Sequence, residues 1–413
     1  MTTQHPRRRS LLAAAAGLST VPVALSTAGA AAASPGTGAL RTLQSGRGPR
    51  RGTYVPSTAE NVLWGRLPNR DTEPVTVVRS GAVVTLDTVS HEGVLEDQGQ
   101  DPLGYFTSFG VDERDVLDDA VQIAARVPHD GPGPHVVSRP VAVTGAEPGD
   151  VLKVEVLDLA LRVPYGVISN RHGKGALPDE LPGAWQDDPA LAEYFNAGGN
   201  VSVFTSVATS GGDLVGVMPG TAGPRFPLAP FLGMMGVARD TSAMVDSVPP
   251  TVAGGNMDVK DLVVGSTLYL PVQVPGAMFF VGDPHMAQGH GEVALTAMEG
   301  SLRATVRLSV VRPGDGAPRI AGEYPFAETP DHWIPVGLSD PDGPEGGGNG
   351  TDLGEAMRVA VRNAMSFLTE DLGLPGPVAY AYLSAAGDFH ASQVVDRTVG
   401  VHATLRKADF GSR

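Results

Sequence analysis

Short apolar segments rich in β-branched residues, separated by turn residues, fill most of the chain from residue 75 onward. Such segments favour strands over helices, and they occur at 75–89, 135–161, 200–209, 266–274 and 301–311. The 53 Gly and 35 Pro of the 413 residues supply the turns between them. The regular strand–helix alternation of a doubly wound sheet is absent. The pattern predicts a mainly β body, arranged as a β-sandwich or a barrel-like structure.

Helices are expected to be few, and the clearest one lies near the C-terminus. Asp352 and Glu355 form a variant of the capping box. Apolar residues then recur every three or four positions, and Gly373 and Pro375 end the pattern. A second, shorter helix is predicted in the segment PVAYAYLSAAG at 377–387.

The N-terminus has the features of an export signal. Arg8-Arg9-Ser10-Leu11-Leu12 resembles the twin-arginine pattern, and an apolar stretch and A-x-A cleavage sites follow it. Ser, Thr, Pro and Gly dilute the apolar stretch, which argues against a stable membrane anchor. We therefore predict a twin-arginine-type signal peptide at 1–33, a flexible leader at 34–60 and one domain at 61–413. The protein is expected in the cell envelope or outside the cell.

Composition narrows the classes of partner and of chemistry. The net charge of −15 offers no basic face for nucleic acid. The chain has no Cys, so it has neither a disulfide framework nor a cysteine nucleophile. We expect a small-molecule ligand, and we expect a homo-oligomer whose interface uses apolar strands or the C-terminal helix.

Ionisable side chains crowd the segment GDPHMAQGHGEVALTAMEG at 282–300. An apolar strand is predicted to end at Asp283, because Pro284 disfavours regular continuation. A second strand is predicted to resume and end at Glu299. Strand alternation would place three polar side chains on one side: Gln288, His290 and Glu292.

The crowding has two explanations, a surface hairpin with incidental polar residues or a functional site. The density of groups favours the site. An imidazole such as that of His285 is a good metal ligand when a neighbouring acceptor orients it. A carboxylate beside it can act as general base to a bound water.

Three smaller clusters leave the structural and functional alternatives open. Asn256 and Asp258 follow a Gly pair, where an Asx turn explains them equally well. His135 precedes a predicted strand and is compatible with a purely structural role. Asp87 and His91 are similarly ambiguous.

Five segments together resemble the acetamidase/formamidase family. The segment GDPHMAQGHGEVALTAME resembles the family signature G-D-x-H-x-x-Q-G-D-G-E. Further segments resemble family motifs and occur in the family's order: HVVSRPVAVTGAEPGDVLKVEVLDL, PFLGMMGVA, GGNMDVKDLVVGSTLYLPVQVPGA and AYLSAAGDFHASQVVDRTVGVHATL. The resemblance extends from about residue 75 to residue 408.

The resemblance implies a β-rich, sandwich-like fold and hydrolysis of small aliphatic amides to a carboxylate and ammonia. It also implies a divalent metal ion, zinc or calcium among them, and some members of the family open cyclic amides. Several residues match the family motifs by position: His135, Asn256, Asp258, Asp283, His285, Gln288 and Glu292. Three positions depart from the motifs: His290 replaces an Asp, Ala253 a His and Arg139 a Gly. These departures leave open an altered site geometry or a loss of standard activity.

The residue types favour hydrolysis by a metal-activated water, because no acyl-enzyme nucleophile is evident. We assign the metal, zinc in preference to calcium, to His135, His285 and Asp87. The catalytic residues are predicted to be Glu292 as general base, Asp283 as an additional or supporting ligand, and His290. Substrate contacts are predicted for Asn256, Asp258 and Gln288. The alternatives are a hydrolase of cyclic amides (lactams) and an exported small-molecule binding protein without turnover.

Overall fold

A computed structural model describes residues 40–221, 223–341 and 350–411, and strands dominate it. In chain order the strands are β1 (Thr53–Val55), β2 (Val62–Trp64), β3 (Arg66–Leu67), β4 (Thr76–Arg79), β5 (Ala82–Asp87), β6 (Val136–Ser138), β7 (Val141–Thr144), β8 (Val151–Leu161), β9 (Tyr165–Asn170), β10 (Val201–Ser210), β11 (Asp213–Val217), β12 (Arg225–Pro227), β13 (Phe231–Val237), β14 (Val245–Asp246), β15 (Gly254–Asn256), β16 (Thr267–Pro271), β17 (Phe279–Ala287), β18 (Met298–Glu299), β19 (Leu302–Pro313), β20 (Gly316–Ala317), β21 (Phe326–Glu328), β22 (His332–Leu338), β23 (Asp388–Gln393) and β24 (Gly400–Arg406).

Helices are short and peripheral to the sheets. The α-helices are α1 (Pro102–Ser108), α2 (Asp118–Arg126), α3 (Leu353–Ser366), which continues as a π-helical turn (Phe367–Asp371), and α4 (Gly376–Ala386). Single 3₁₀ turns lie at Ala59–Asn61, Glu96–Gln98, Glu113–Asp115, Gly183–Trp185, Pro189–Tyr194, Ala197–Gly199, Arg319–Gly322 and Lys407–Phe410. None of the helices in the described part of the chain is both long and apolar enough to cross a membrane.

Two large sheets form the body. The first has the order β1-β5-β19-β8-β16-β21-β22-β24-β23, with β20 beside β19. The second has the order β12-β11-β10-β9-β18-β17-β13-β15, and β2, β4, β6 and β7 join it. Strand β17 is the hub of the second sheet, because β6, β7, β13 and β18 all pair with it. A separate ribbon joins β3 to β14.

The largest hydrophobic core lies between the two sheets. It draws buried aliphatic and aromatic residues from β5, β8, β16 and β19 of the first sheet and from β7, β13 and β17 of the second. Burying one such side chain contributes about 1.5–3 kcal/mol. Helices α1 and α2 cover a second cluster, and α3 and α4 cover a third. The mainly β, sandwich-like fold predicted from the sequence is confirmed.

The predicted helix near the C-terminus is confirmed together with its cap. The backbone N–H of Glu355 donates to Asp352 Oδ1 at 3.0 Å. Helix α3 packs on β22 at Gly337, where a Cβ would lie 2.1 Å from the backbone nitrogen of Ala360. Glycine at this position therefore sets how closely the helix approaches the sheet. The second predicted helix is α4.

Two details of segment 282–300 differ from the prediction. Strand β17 does not end at Asp283 but passes through Pro284, which lies opposite Leu232 of β13. Asp283 has a φ of +46°, so the backbone kinks just before the proline. Irregularities of this kind are where a sheet tolerates proline. The predicted second strand is only the two-residue β18, so the polar residues between β17 and β18 belong to a loop.

The N-terminal part of the described chain is built into the body. Strand β1 pairs with β5, and the backbone carbonyl of Leu43 accepts a hydrogen bond from the buried Arg162 at 3.1 Å. The same guanidinium forms an ion pair with Asp119 at 2.8 Å. Residues 43–55 therefore pack as part of the domain, which begins before residue 61. The predicted signal peptide at 1–33 lies outside the described residues.

The close approach of α3 to the sheet predicts a stability effect. Gly337→Ala should lower the free energy of unfolding by about 1–3 kcal/mol, the usual cost of overpacking, because its Cβ has no space beside the helix backbone. Urea unfolding followed by circular dichroism measures the change. Gly376→Ala is the matched control, since no atom lies within 4 Å of its added Cβ. Equal midpoints for the two variants would contradict the packing described.

Candidate active site

A cavity of about 690 Å³ opens beside strand β17, and a group of ionisable and amide side chains lines it. They come from separate parts of the chain: His91 from the loop after β5, His135 from the residue before β6, Asn256 from β15, Asp258 from just beyond it, Asp283 from β17, Glu292 from the β17–β18 loop, Glu299 from β18 and Asp396 from the loop after β23. A volume of this size is typical of small-molecule pockets.

A buried imidazole, that of His285, lies at the centre of the acidic groups. Register places His285 directly opposite Glu299, and its Nε2 lies 3.1 Å from Glu299 Oε1 and 2.9 Å from Asp283 Oδ2. Its Nδ1–H donates to Gln288 Oε1 at 2.9 Å. Burial alone would lower the pKa of His285, but Glu299 and Asp283 outweigh burial and raise that pKa well above its usual value. The acceptors at both ring nitrogens therefore favour the protonated, cationic form of His285.

Three of the acidic residues adopt a strained backbone. Asp258, Asp283 and Glu292 have φ values of +52°, +46° and +48°. Non-glycine residues rarely occupy this region, and such strain concentrates at functional sites. The conformation turns each carboxylate away from the direction that a regular strand would give it. Local strain is thus part of how the acids come together.

A glycine makes room for the cluster on the neighbouring strand. Gly233 of β13 faces the acids, and a Cβ there would lie 2.4 Å from Asp258 Oδ1 and 2.6 Å from His285 Cε1. Any larger residue would displace the carboxylates. The segment PFLGMMGVA thus contributes to the site because Gly233 has no side chain and leaves space for the acids.

Two imidazoles and a carboxylate form the first group that could hold a metal ion: His91, His135 and Asp283. Asp283 Oδ1 lies 3.4 Å from His91 Nδ1 and 3.7 Å from His135 Nε2. The other ring nitrogen of each histidine contacts an outer partner: His135 Nδ1 lies 3.0 Å from Ser247 Oγ, and His91 Nε2 lies 3.3 Å from Glu92 Oε1. Such outer partners are typical of metal-binding histidines.

The protonation of this group is set by burial and by its carboxylates. Burial lowers the pKa of His135 to about 4, which leaves the ring neutral. Burial also acts to lower the pKa of His91, but Asp283 and Glu92 raise it to about 10. A divalent cation would displace that proton, because metal binding and ligand deprotonation are coupled. Nearby His285 and His135 keep the pKa of Asp283 well below its usual value, despite burial.

The remaining carboxyl groups repel one another. Burial and the charge of Glu292 raise the pKa of Asp258 well above its usual value, and burial likewise raises that of Glu292. Burial raises the pKa of Asp396 to about 7. Asp258 and Glu292 lie with His285 in a second group of candidate ligands, and Asp283, His285 and Glu299 form a third.

Several buried oxygen atoms have no hydrogen-bond partner among the described residues. Those in the cavity are Asn256 Oδ1, both carboxylate oxygens of Asp258, Asp283 Oδ1, Glu299 Oε2 and Asp396 Oδ2. Burying an unpaired carboxylate costs several kcal/mol. A bound cation would offset that cost, so the residues present fit a divalent metal ion. Because both nitrogens of His285 already face acceptors, the first group is better suited to an ion than the two that contain His285.

Five of the predicted site residues line the cavity: His135, Asn256, Asp258, Asp283 and Glu292. His285 lies behind the cavity wall as the central cation. Gln288 is not a lining residue, and its amide is fully used: it accepts from His285 and donates to the backbone carbonyls of Asp258 and Ser392 at 3.1 Å each. Gln288 therefore positions other residues, and the structure does not support the predicted substrate contact.

Asp87 is not brought to the other predicted metal ligands. It lies directly opposite Arg303 of β19, and its carboxylate accepts from Arg303 Nη2 at 2.9 Å and from the Tyr54 hydroxyl at 2.5 Å. The side chain is buried and fully engaged in this ion pair. Asp87 therefore stabilises the first sheet. The residue that lies beside His135, where Asp87 was predicted, is His91, four residues later.

His290 lies outside the cavity, contrary to its predicted catalytic role. The positive φ of Gly291, +94°, and that of Glu292 reverse the loop, so Glu292 enters the cavity and His290 remains exposed. His290, which replaces the Asp of the family signature, therefore does not line the cavity.

Sequence reasoning left His91, Glu299 and Asp396 out of the site, although all three line the cavity. His91 was visible only as an ambiguous neighbour of Asp87. Glu299 ends the crowded segment at 282–300, and Asp396 ends the motif SQVVD within the last family-like segment. The position of Glu299 and Asp396 within family-like segments was the only feature of the sequence that could have indicated them.

Comparison with known proteins gives matches over most of the chain. The family model described as "Acetamidase/Formamidase family" matches residues 111–247 and 241–406. The formamidase of Methylophilus methylotrophus is 27% identical over 303 residues, covering 63% of this chain and 73% of the relative. The acetamidase of Mycolicibacterium smegmatis is 30% identical over 210 residues, covering 38% of this chain and 49% of the relative, about half its length.

Solved structures show the same fold. The crystal structure of acetamidase from Bacillus halodurans superposes with a TM-score of 0.63 at 24% identity, covering 86% of this chain and 98% of that one. A predicted acetamidase/formamidase from Thermoanaerobacter tengcongensis gives a TM-score of 0.63 at 21% identity, covering 88% and 100%.

The cavity geometry predicts which histidines govern metal affinity. In chelator-stripped protein, His91→Gln and His135→Gln should each weaken Zn²⁺ binding in the cavity by at least about tenfold, because each removes a nitrogen that faces Asp283. Isothermal titration calorimetry measures the affinity. His332→Gln, on β22 and remote from the cavity, is the control. Wild-type affinity in both cavity variants would contradict the assignment.

Proposed function

Because the chain belongs to the acetamidase/formamidase family, we propose that it hydrolyses the carbon–nitrogen bond of small aliphatic amides, giving a carboxylate and ammonia. Relatives named formamidase and acetamidase support amide hydrolysis. The observation that carries the proposal is the enclosed cluster of carboxyl groups and imidazoles in the cavity. Amide hydrolysis needs an activated water, stabilisation of the carbonyl oxygen and a proton for the leaving nitrogen.

We infer that His91, His135 and Asp283 hold a divalent cation. Two imidazole nitrogens and a carboxylate suit zinc better than calcium, which prefers oxygen ligands. A zinc ion held there supplies Lewis acidity, which lowers the pKa of a water and polarises a carbonyl. The unpaired Asp283 Oδ1 is the atom of this chain that both histidines face.

Glu292 is the general base of the proposal. Its buried carboxyl group faces the cavity, and a positive charge nearby would bring its raised pKa back toward neutrality, where proton transfer is most effective. Glu292 would take the proton of the attacking water and return it to the leaving nitrogen. The His285 Nε2, 3.9 Å from Glu292 Oε1, keeps a positive charge beside it throughout.

Asn256 is suited to orient a primary amide. Its buried Oδ1 lacks a hydrogen-bond partner and can accept from the N–H₂ group of a substrate, while its own N–H₂ can donate to the carbonyl oxygen. Asp258, two residues later, adds a carboxyl group to the same cavity. This arrangement would distinguish an amide from an ester, which has no N–H to donate.

The cavity volume is also compatible with a second class of substrate, larger or cyclic amides. About 690 Å³ far exceeds what a molecule of three or four heavy atoms requires, so larger or cyclic amides also fit. Arg171, Lys174 and Arg397 lie among the lining residues and add positive charge to a largely acidic pocket. A lactam hydrolase would use the same groups of the cavity. A binding protein without turnover would retain the cavity but release no ammonia.

The proposed base predicts a loss of turnover. Glu292→Gln should lower kcat for formamide or acetamide by about 10²- to 10⁴-fold, the range for general base catalysis, because the amide cannot accept the proton of water. Ammonia release measures the rate, with Glu60→Gln on the exposed surface as control. Chelation should abolish activity and Zn²⁺ should restore it. Unchanged activity in Glu292→Gln would refute the base assignment.

The same assay separates the alternatives. Turnover of a lactam with none of linear amides would identify the cyclic-amide hydrolase. Tight binding of an amide by the metal-loaded wild type, with no product from either class, would identify the binding protein and overturn the hydrolase proposal.

We also propose export by the twin-arginine route. The support is the sequence pattern at 8–12 with its apolar stretch and cleavage sites. Replacing Arg8 and Arg9 together by Lys should retain the protein inside the cell, because the export machinery of that route recognises the arginine pair. Cell fractionation and immunoblotting measure the distribution, and Arg7→Lys is the control. Normal export of the double variant would contradict this route.

A further inference from the structure

A second cluster of imidazoles lies outside the cavity, between the β17–β18 loop and the edge of the first sheet. His390 of β23 and His402 of β24 are directly opposite each other in the strand pair. His290 stacks on His390 with ring centroids 4.3 Å apart, and it lies 5.3 Å from the ring of His402. Three imidazoles thus meet on one face, and none of them belongs to the proposed catalytic machinery.

A carboxylate completes the cluster. Asp261 Oδ2 lies 3.0 Å from His402 Nε2, and the opposite nitrogen, Nδ1, lies 2.7 Å from Ser392 Oγ. The ring of His402 is therefore held in one orientation, with its Nε2 directed toward Asp261. An outer hydrogen bond of this kind fixes the tautomer of a metal-binding histidine.

The donor atoms are close enough to share one ion. One ligand atom from each of Asp261, His290 and His402 lies within 4.8 Å of the others. Ligand atoms at about 2.1 Å from a tetrahedral zinc ion lie about 3.4 Å apart, so an inward movement of the side chains would bring the three donors into coordination distance. His290 is exposed and His402 is buried, which leaves the site open to solvent on one side.

We propose that Asp261, His290 and His402 form a second metal site, on the protein surface, that binds a divalent transition-metal ion such as Zn²⁺ or Cu²⁺. Two imidazoles and one carboxylate favour these ions over Ca²⁺ and Mg²⁺. His390, stacked on His290, covers one face of the site. The site is spatially separate from the proposed catalytic groups, because its residues do not line the cavity.

The position of the site gives it a consequence for the catalytic loop. The loop is already attached to β23, since Gly291 N donates to the carbonyl of Ser392 at 3.2 Å and Val394 N donates to the carbonyl of Gly291 at 3.1 Å. An ion joining His290 to His402 would add a bond between the loop and β24. Glu292 lies two residues from His290, so the ion would restrain the segment that carries the proposed base.

Copper binding tests the proposal. Chelator-stripped wild-type protein, titrated with Cu²⁺ and followed by electron paramagnetic resonance, should bind one more ion than His290→Ala, with a spectrum that shows nitrogen ligation. The exposed His172 provides the matched control variant His172→Ala, which should behave as wild type. The difference between wild type and His290→Ala should persist in a His91→Gln background, where the cavity lacks one of its nitrogens.

A second measurement guards against a folding artefact. Circular dichroism should show that His290→Ala folds as wild type does, and added Zn²⁺ should raise the Tm of His91→Gln more than that of the double variant His91→Gln/His290→Ala. Equal copper stoichiometry and equal spectra in wild type and His290→Ala would overturn the surface site. That result would leave the proposed amide hydrolysis untouched.

Discussion

The pairing of a buried imidazolium with surrounding carboxyl groups is the constraint on which this site depends. His285 is fully buried among four acids: Asp283 of its own strand, and Asp258, Glu292 and Glu299 from three other segments of the chain. Like charges at such distances cannot all ionise in a low-dielectric interior. The positive charge on His285 offsets part of the repulsion, and the unpaired oxygen atoms mark where further positive charge is needed. Protonation of the acids with raised pKa values relieves part of this repulsion, and a bound cation would relieve more of it.

The sheet architecture makes this concentration of charge feasible. Strand β17 lies in the middle of the second sheet, and its register with β13 and β18 fixes which residues face His285. Glu299 is presented by direct cross-strand pairing, and Gly233 leaves the space that the acids occupy. A second buried ion cluster, in which Arg162 and Arg303 meet Asp119 and Asp87, anchors the first sheet and the residues before it. Structural and functional ion pairs are thus kept in separate parts of the molecule.

The sequence predicted the strand-rich fold and five of the cavity residues, because strand patterns and segment motifs are local properties. The sequence did not show which of Asp87 and His91 belongs to the cavity. That depends on Arg303 of β19, more than 200 positions away, which forms an ion pair with Asp87 on the neighbouring strand. The sequence pattern also misplaced His290. Alternation assumes a strand, whereas the left-handed conformations of Gly291 and Glu292 reverse the chain. Backbone conformations of this kind are set by the packing of the whole domain, which residue type alone does not encode.

The left-handed backbone of Asp258, Asp283 and Glu292 has a consequence for how the fold can change. At each of these positions glycine would adopt the observed φ without strain, and at Asp258 and Glu292 it would also remove a buried carboxyl group whose pKa burial and its acidic neighbours raise. Substitutions that relax the backbone at these two positions would therefore also remove groups of the proposed chemistry. Selection for stability alone would erode this site first, so the acids mark a position where stability has been exchanged for function.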